Sequence, residues 1–194
     1  MLKQPPKLSV ILPVYNAGSF LIEAIESILH QTFKDFECII INDGSTDDSA
    51  KVIASFRDPR IRVISQANQG LRSSLNVGLR EATGTFIARM DQDDISLPNR
   101  FEKQIAFLET HPDHVLVGTT YAYIDERGKI TGVFPALLDN EDVKRELYTK
   151  SPFGHGTVMF RAAALKQGGY TYSQEAVNVE DYEFWLRFSD AGKY

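Results

Sequence analysis

The chain is poor in several features that would steer a reading elsewhere. It has one cysteine, Cys38, which excludes an internal disulfide framework and fits a reducing compartment. Cys38 lies inside an apolar segment, so it reads as a buried structural thiol rather than a nucleophile. No apolar run approaches membrane-spanning length. The opening Met1-Leu2-Lys3-Gln4-Pro5-Pro6-Lys7 places no apolar segment behind its charges, so no secretory signal is expected. The net charge is −5 and no Lys/Arg cluster offsets it, which argues against nucleic-acid binding. Neither a Gly-x-x-x-x-Gly-Lys-Ser/Thr loop nor a Gly-x-Gly-x-x-Gly turn occurs, which counts against P-loop and dinucleotide enzymes. His30, His111 and His114 lack metal-ligand spacing and read as surface or structural groups. A soluble, cytoplasmic globular protein is the expectation.

What is present is an alternation of two periodicities. Leu8–Val14 is a short apolar strand, ended by Pro13 and an Asn16/Gly18 turn signal. Phe20, Leu21, Ala24, Ile25, Ile28 and Leu29 then share one helix face. Residues 36–41 give a second strand, closed by Asn42-Asp43-Gly44. Ser45 or Thr46 is expected to cap the next helix, which carries Val52, Ile53 and Phe56. Residues 61–64 form a third strand, Leu71, Leu75, Gly78, Leu79 and Ala82 a third helical stripe, and residues 85–90 a fourth strand. Apolar strands separated by amphipathic helices predict an α/β fold, with βαβ units and a mostly parallel sheet covered on both faces.

The second half is mixed. Leu97-Pro98 opens a helix with Phe101, Ile105 and Leu108 inward. Residues 115–124 are strand-like, and residues 125–129 form a hairpin turn into residues 130–134. A short helix is expected over 139–150, a strand over 157–160 and a helix over 181–188. Trp185 reads as core, because its helical neighbours Phe184 and Phe188 are apolar too. Antiparallel elements are thus added to a nucleotide-binding-type sheet, with no interdomain linker.

Polar residues gather at the strand ends. Pro13-Val14-Tyr15-Asn16 follows the first strand, Asn42-Asp43-Gly44-Ser45 the second and Asp91-Gln92-Asp93-Asp94 the fourth. In a parallel sheet these three loops converge on one crevice. Crowded carboxylates repel, so the last loop needs solvent, cationic side chains or a metal ion. Asp oxygens suit Mg²⁺ or Mn²⁺, which in turn hold phosphate oxygens; an acidic loop that caps the following helix is the plainer reading. Asp43 can accept the imide N–H of a uracil or thymine ring, and Asp43-Gly44 also reads as a simple turn. Arg89 either contacts phosphate or neutralises the acids, and Asp94 either supports a metal or caps a helix. His155, flanked by glycines, approaches a ligand or is buried and hydrogen-bonded. Glu180-Asp181 either favours the positive end of the following helix or supplies a general base.

These blocks, taken in order with Thr46-Asp47, Asn68-Gln69-Gly70, Asn76-Val77-Gly78, Gly84-Thr85, Gly168-Gly169-Tyr170 and Val179-Glu180-Asp181, resemble the family 2 glycosyltransferases over nearly the whole chain. The resemblance implies the GT-A fold, a nucleoside-diphosphate-sugar donor (a UDP-sugar foremost), a divalent metal, Mn²⁺ or Mg²⁺, and inversion at the anomeric carbon. It implies that Pro13, Tyr15, Asn16, Asp43, Asn76 and Asp91 bind the donor nucleotide. Asp93 and Asp91 would hold the metal, and Asp181 would act as catalytic base with Glu180 beside it. Residues 1–94 become the nucleotide-sugar half and residues 95–194 the acceptor and base half of one domain, truncated at its C-terminus relative to the family's habit. A glycan or lipid-linked sugar acceptor in polysaccharide or surface-glycan synthesis follows from the same resemblance, with a place in the cytoplasm or at the inner face of the membrane. Two rivals stay open. One is a non-catalytic sugar-nucleotide-binding domain. The other is a sugar-nucleotide nucleotidyltransferase, whose glycine-rich basic loop is missing at residues 13–18.

Overall fold

A computed structural model describes residues 4–194; residues 1–3, part of the start read above as lacking a signal, lie outside the described residues. Strand and helix alternate through the first half as β1 (Leu8–Val14), α1 (Leu21–Leu29), β2 (Phe36–Asp43), α2 (Ser49–Ser55), β3 (Ile61–Gln66), α3 (Leu71–Glu81) and β4 (Phe86–Arg89). The strands lie parallel in the order β3-β2-β1-β4, with Leu8 opposite both Phe36 and Phe86. Order therefore reverses between β1 and β4, which opens a crevice at their carboxyl ends.

The second half comprises α4 (Arg100–Thr110), β5 (Leu116–Val117), β6 (Tyr121–Ile124), β7 (Ile130–Phe134), α5 (Asn140–Glu146), β8 (Met159–Arg161), α6 (Ala162–Gly168) and α7 (Glu180–Phe188). β8 adds antiparallel to β4, and β5 adds antiparallel to β8, completing a six-stranded sheet. Among the described residues β6 and β7 pair only with one another.

Period-2 alternation along β1 divides the core into two layers. Leu8, Val10, Leu12 and Val14 pack with Leu21, Ile25 and Ile28 of α1 and with Phe101, Ile105 and Leu108 of α4. Ile11, Ile39, Ile41 and Ile87 face the other way, onto Leu75 of α3 and Phe184, Trp185 and Phe188 of α7. Both faces are covered, as expected of a parallel sheet. Cys38 is fully buried in β2 and Trp185 fully buried in α7, in line with their structural readings.

Four local expectations need correction. The fourth helix begins at Arg100, after Asn99, so Leu97-Pro98 precedes it rather than opening it. Helix α2 starts at Ser49, and the carboxylate of Asp47 accepts the Ser49 N–H at 2.9 Å; Ser45 and Thr46 serve another partner, described below. The run 115–124 breaks at Gly118, where a Cβ would stand 2.6 Å from the Phe153 ring, and its two parts join different sheets. Helix α6 was not expected, although its run Ala162-Ala163-Ala164-Leu165 ahead of a left-handed Gly169 (φ 63) carries a helix and its stop signal.

Candidate active site

Three loops at the carboxyl ends of β1, β2 and β4 are tied into one unit by side chains that bond to backbone. Asn16 adopts a left-handed backbone (φ 50), and its Oδ1 accepts the N–H groups of Thr46 at 2.8 Å and Asp47 at 3.3 Å. In return the Asn16 N–H donates to Ser45 Oγ at 3.2 Å and the Gly18 N–H to Asp47 Oδ2 at 3.1 Å. Gln92 spans the crevice from β4: its Oε1 accepts the Tyr15 N–H at 2.8 Å, and its Nε2 donates to the Tyr15 carbonyl at 3.2 Å. Tyr15 remains exposed beside this bridge, while Pro13 is buried in β1 opposite Ile41.

Asp43 ends β2 buried, and its carboxylate accepts three hydrogen bonds from neighbouring groups. Oδ1 accepts from Gln66 Nε2 at 2.7 Å and Gln69 N–H at 3.0 Å, and Oδ2 accepts the Gly70 N–H at 2.8 Å. The residue thus fixes the loop into α3. Asn76, from the same helix, is also spoken for: Nδ2 donates to the Tyr172 carbonyl and Oδ1 accepts the Tyr172 N–H, both at 2.8 Å.

The acidic loop lies over a buried cation. Arg89, the last residue of β4, is 2% exposed and forms an ion pair through Nη1 with Asp91 Oδ2. Of the two readings of Arg89, the ion pair supports neutralisation of the acids. Burial lowers its guanidinium to about 10, against the pull of Tyr172, Asp94, Asp181 and Asp93. Among the described residues its Nε has no hydrogen-bond partner. A second buried cation, Arg100, donates to the Arg89 and Val158 carbonyls at 2.9 and 3.2 Å and so braces the strand end.

Gly156 lets the chain approach the acids. A Cβ there would overlap Asp94 Oδ2 and stand 3.0 Å from Asp91 Oδ2. Asp94 therefore turns toward Asp91 and makes no capping bond to α4. Burial and then the charge of Asp93 hold its carboxyl above the usual range, although Arg89 and Arg100 pull it down. His155 donates or accepts at Tyr172 Oη, 2.9 Å away, and packs edge-on to Trp185. Burial, with Arg89 nearby, holds its imidazole well below the ordinary value, so it is neutral. Asp181 and Glu180 open α7, where Asp181 Oδ1 accepts the Tyr182 N–H at 2.7 Å. Asp181 thus stands at the start of the helix whose Trp185 packs on His155, and its charge acts on both Arg89 and Tyr172.

Among the described residues no group of three or more His, Cys, Asp or Glu side chains encloses a metal by itself. A Mg²⁺-type cation held partly by phosphate and water needs only one or two carboxylates. Asp93, exposed beside Asp91, supplies hard oxygen of that kind, so the donor set fits. The residues that sequence reasoning passed over are Gln92, Gly156 and Tyr172. Only Gly156 carried a signal, in the Gly154-His155-Gly156 pattern.

Comparison with known proteins agrees with this geometry. Residues 9–169 match the model of Glycosyl transferase family 2. EpsE of Bacillus subtilis (strain 168) is 42% identical over 192 residues, which covers 96% of this chain and 68% of that protein. The amylovoran biosynthesis glycosyltransferase AmsE of Erwinia amylovora is 37% identical over 190 residues, 95% of this chain and 70% of that protein. S. aureus TarS 1-349, solved in complex with UDP, superposes with a TM-score of 0.76 at 27% identity. That match covers 94% of this chain and 54% of TarS 1-349, so the chain spans little more than half of the solved protein. With a matched family model over most of its length and a sheet whose loops meet at the β1/β4 switch, the chain belongs to glycosyl transferase family 2 and is a glycosyltransferase domain with the GT-A fold.

Proposed function

We propose that the chain transfers a sugar from a nucleoside-diphosphate donor, a UDP-sugar foremost, to a hydroxyl of a glycan or lipid-linked acceptor, with inversion. The observation that carries this reading is the meeting of Asp91, Asp94 and the Gln92–Tyr15 bridge at the β1/β4 crevice, next to His155, which packs on Trp185 of the helix that Asp181 opens. The TarS structures with UDP and with UDP-GlcNAc support the donor class. The name of AmsE supports a role in polysaccharide synthesis.

In this reading Pro13, Tyr15 and Asn16 line the nucleotide pocket, and Asp43 shapes its floor by fixing the Gln69–Gly70 backbone. Asp93, with Asp91, would hold Mn²⁺ or Mg²⁺. Such an ion, when bound, supplies Lewis-acid stabilisation of the leaving diphosphate. Asp181 takes the proton from the acceptor hydroxyl as it attacks, and Glu180 adds negative charge beside it. His155, neutral and held by Tyr172, walls the site without carrying charge. One base and no protein nucleophile give direct displacement, hence inversion. No helix among the described residues is long and apolar enough to cross a membrane. We place the reaction in the cytoplasm, at the inner membrane face where the acceptor is lipid-linked.

Calorimetric titration of UDP, GDP, dTDP and CDP, each with and without Mn²⁺, tests the proposal. Metal-dependent binding of one nucleotide is expected. If all four fail to bind with Mn²⁺ present, the donor reading falls; metal-independent binding removes the metal alone. Nucleotide binding without sugar transfer or hydrolysis would favour the non-catalytic binding domain.

A further inference from the structure

The hairpin β6–β7 stands off the main sheet and is apolar where it meets solvent, which two strands alone would not sustain unless anchored or used. Cross-strand pairing puts Tyr121 opposite Phe134 and Tyr123 opposite Gly132, so these aromatic side chains share one face. Tyr121 and Phe134 stack at 5.3 Å with planes 13° apart. Tyr123 stands edge-on to both, at 5.5 and 6.3 Å. Gly132 leaves room for this: a Cβ there would only touch the Tyr123 ring, at 3.7 Å. Tyr123 is 54% exposed and Phe134 48%.

The inner edge of this face runs into the site. The Tyr121 ring lies against Gly154, where a Cβ would stand 2.8 Å from its Cε1, and Gly154 leads through His155 to Gly156 beneath Asp91 and Asp94. Burial, then the neighbouring Tyr123 and last the Asp94 charge raise the Tyr121 phenol to about 12, so its hydroxyl stays protonated and able to donate. Ring faces rimmed by phenol hydroxyls suit a flat apolar ligand with polar edges. A hexopyranose has that form: its C–H face covers a ring while its hydroxyls stay at the rim.

Building on the glycosyltransferase reading above, we propose that the Tyr121–Tyr123–Phe134 face is an acceptor subsite that stacks a neutral hexopyranose ring beside the carboxylate cluster. Donor contacts come from the β1, β2 and β4 loops, so the hairpin tunes the acceptor without touching the nucleotide. The aliphatic reverse face, with Ile124, Ile130 and Val133, takes no part.

The test uses the full chain with cellotetraose, chitotetraose and maltotetraose, each with and without UDP and Mg²⁺. Saturation-transfer NMR is expected to mark the ring C–H protons of at least one tetrasaccharide, and the ring resonances of Tyr123 and Phe134 are expected to shift. Tyr123→Ala should weaken that binding about tenfold, the scale of one lost aromatic contact, while Tyr123→Phe restores most of it. UDP affinity, measured by calorimetry on the same variants, should not change. The subsite is overturned if no tetrasaccharide is marked, if the shifts fall elsewhere, or if Tyr123→Ala binds as wild type does. Because the shifts are read on the wild-type chain, an unstable variant does not decide the matter. Failure of the wild type to bind any nucleotide would instead overturn the donor reading.

Discussion

Asn76 and Tyr172, 96 residues apart, exchange two backbone-to-amide hydrogen bonds of 2.8 Å, and Tyr172 in turn bonds His155 at 2.9 Å. A side chain on the helix that follows the nucleotide loops thereby positions the wall of the second half. Asn76→Ala is expected to cost about 1–3 kcal/mol, since it leaves a largely buried N–H and C=O without partners. Urea unfolding checks this. An Asn76→Ala protein that folds fully and loses tenfold in UDP affinity would show instead that Asn76 contacts the donor.

Gly156→Ala would drive a methyl group into Asp94 Oδ2 and crowd Asp91. We expect metal-dependent UDP affinity to fall by about tenfold or more, with the urea midpoint near that of wild type. Calorimetry beside urea unfolding separates the two effects.

Arg89→Met removes the buried partner of Asp91 and leaves the acids to repel one another. Breaking a buried pair from one side costs about 3–5 kcal/mol. Arg89→Lys should recover only part of that, because an ammonium cannot reproduce the guanidinium's reach at this position. Thermal and urea denaturation of both variants at low and high salt give the answer; equal stability of Met and wild type would contradict the ion pair's role.

The imidazole of His155 is held below 6.5 by burial and by Arg89, so the unfolded chain binds its proton more readily. The associated stability is therefore present above pH 6.5 and is lost as pH falls toward the folded value, by at most about 1.4 kcal/mol per pH unit. Between pH 7.5 and 5.5 the wild type should lose more stability than His155→Asn. Parallel losses in the two proteins would mean that His155 is not held neutral.

Asp181→Asn is expected to retain UDP binding while sugar transfer drops by several orders of magnitude, and Asp93→Ala to lose metal-dependent nucleotide binding. Transfer at the wild-type rate in Asp181→Asn would remove it as the base. Unchanged Mn²⁺-dependent binding in Asp93→Ala would remove it as the metal ligand.

The first half was legible in the sequence because β1, β2 and β4 are buried on both faces and each helix carries one apolar stripe, so composition and periodicity agree. Boundaries slipped where a tertiary partner decided them. Leu97-Pro98 precedes α4 because the Pro98 carbonyl accepts the Thr32 N–H at 2.7 Å, and the Leu97 carbonyl takes Gln31 Nε2 at 2.8 Å. Residues 115–124 alternate like one strand, and only the Phe153 ring over Gly118 shows that they are two. In the site, motif spacing marked Asp43, Asp91 and Asp93 but carried nothing about Gln92. Its amide matters through a backbone 77 residues away, and no local pattern records that.

Burial pushes the Cys38 thiol up to about 12, so at neutral pH it is neither ionised nor reachable. As the chain's sole cysteine, it gives a silent background for thiol chemistry. A thiol introduced at exposed Glu126, in the turn between β6 and β7, would be the single group that an alkylating dye or spin label finds. Whether that hairpin moves during turnover is then open to spectroscopy in the otherwise unaltered protein.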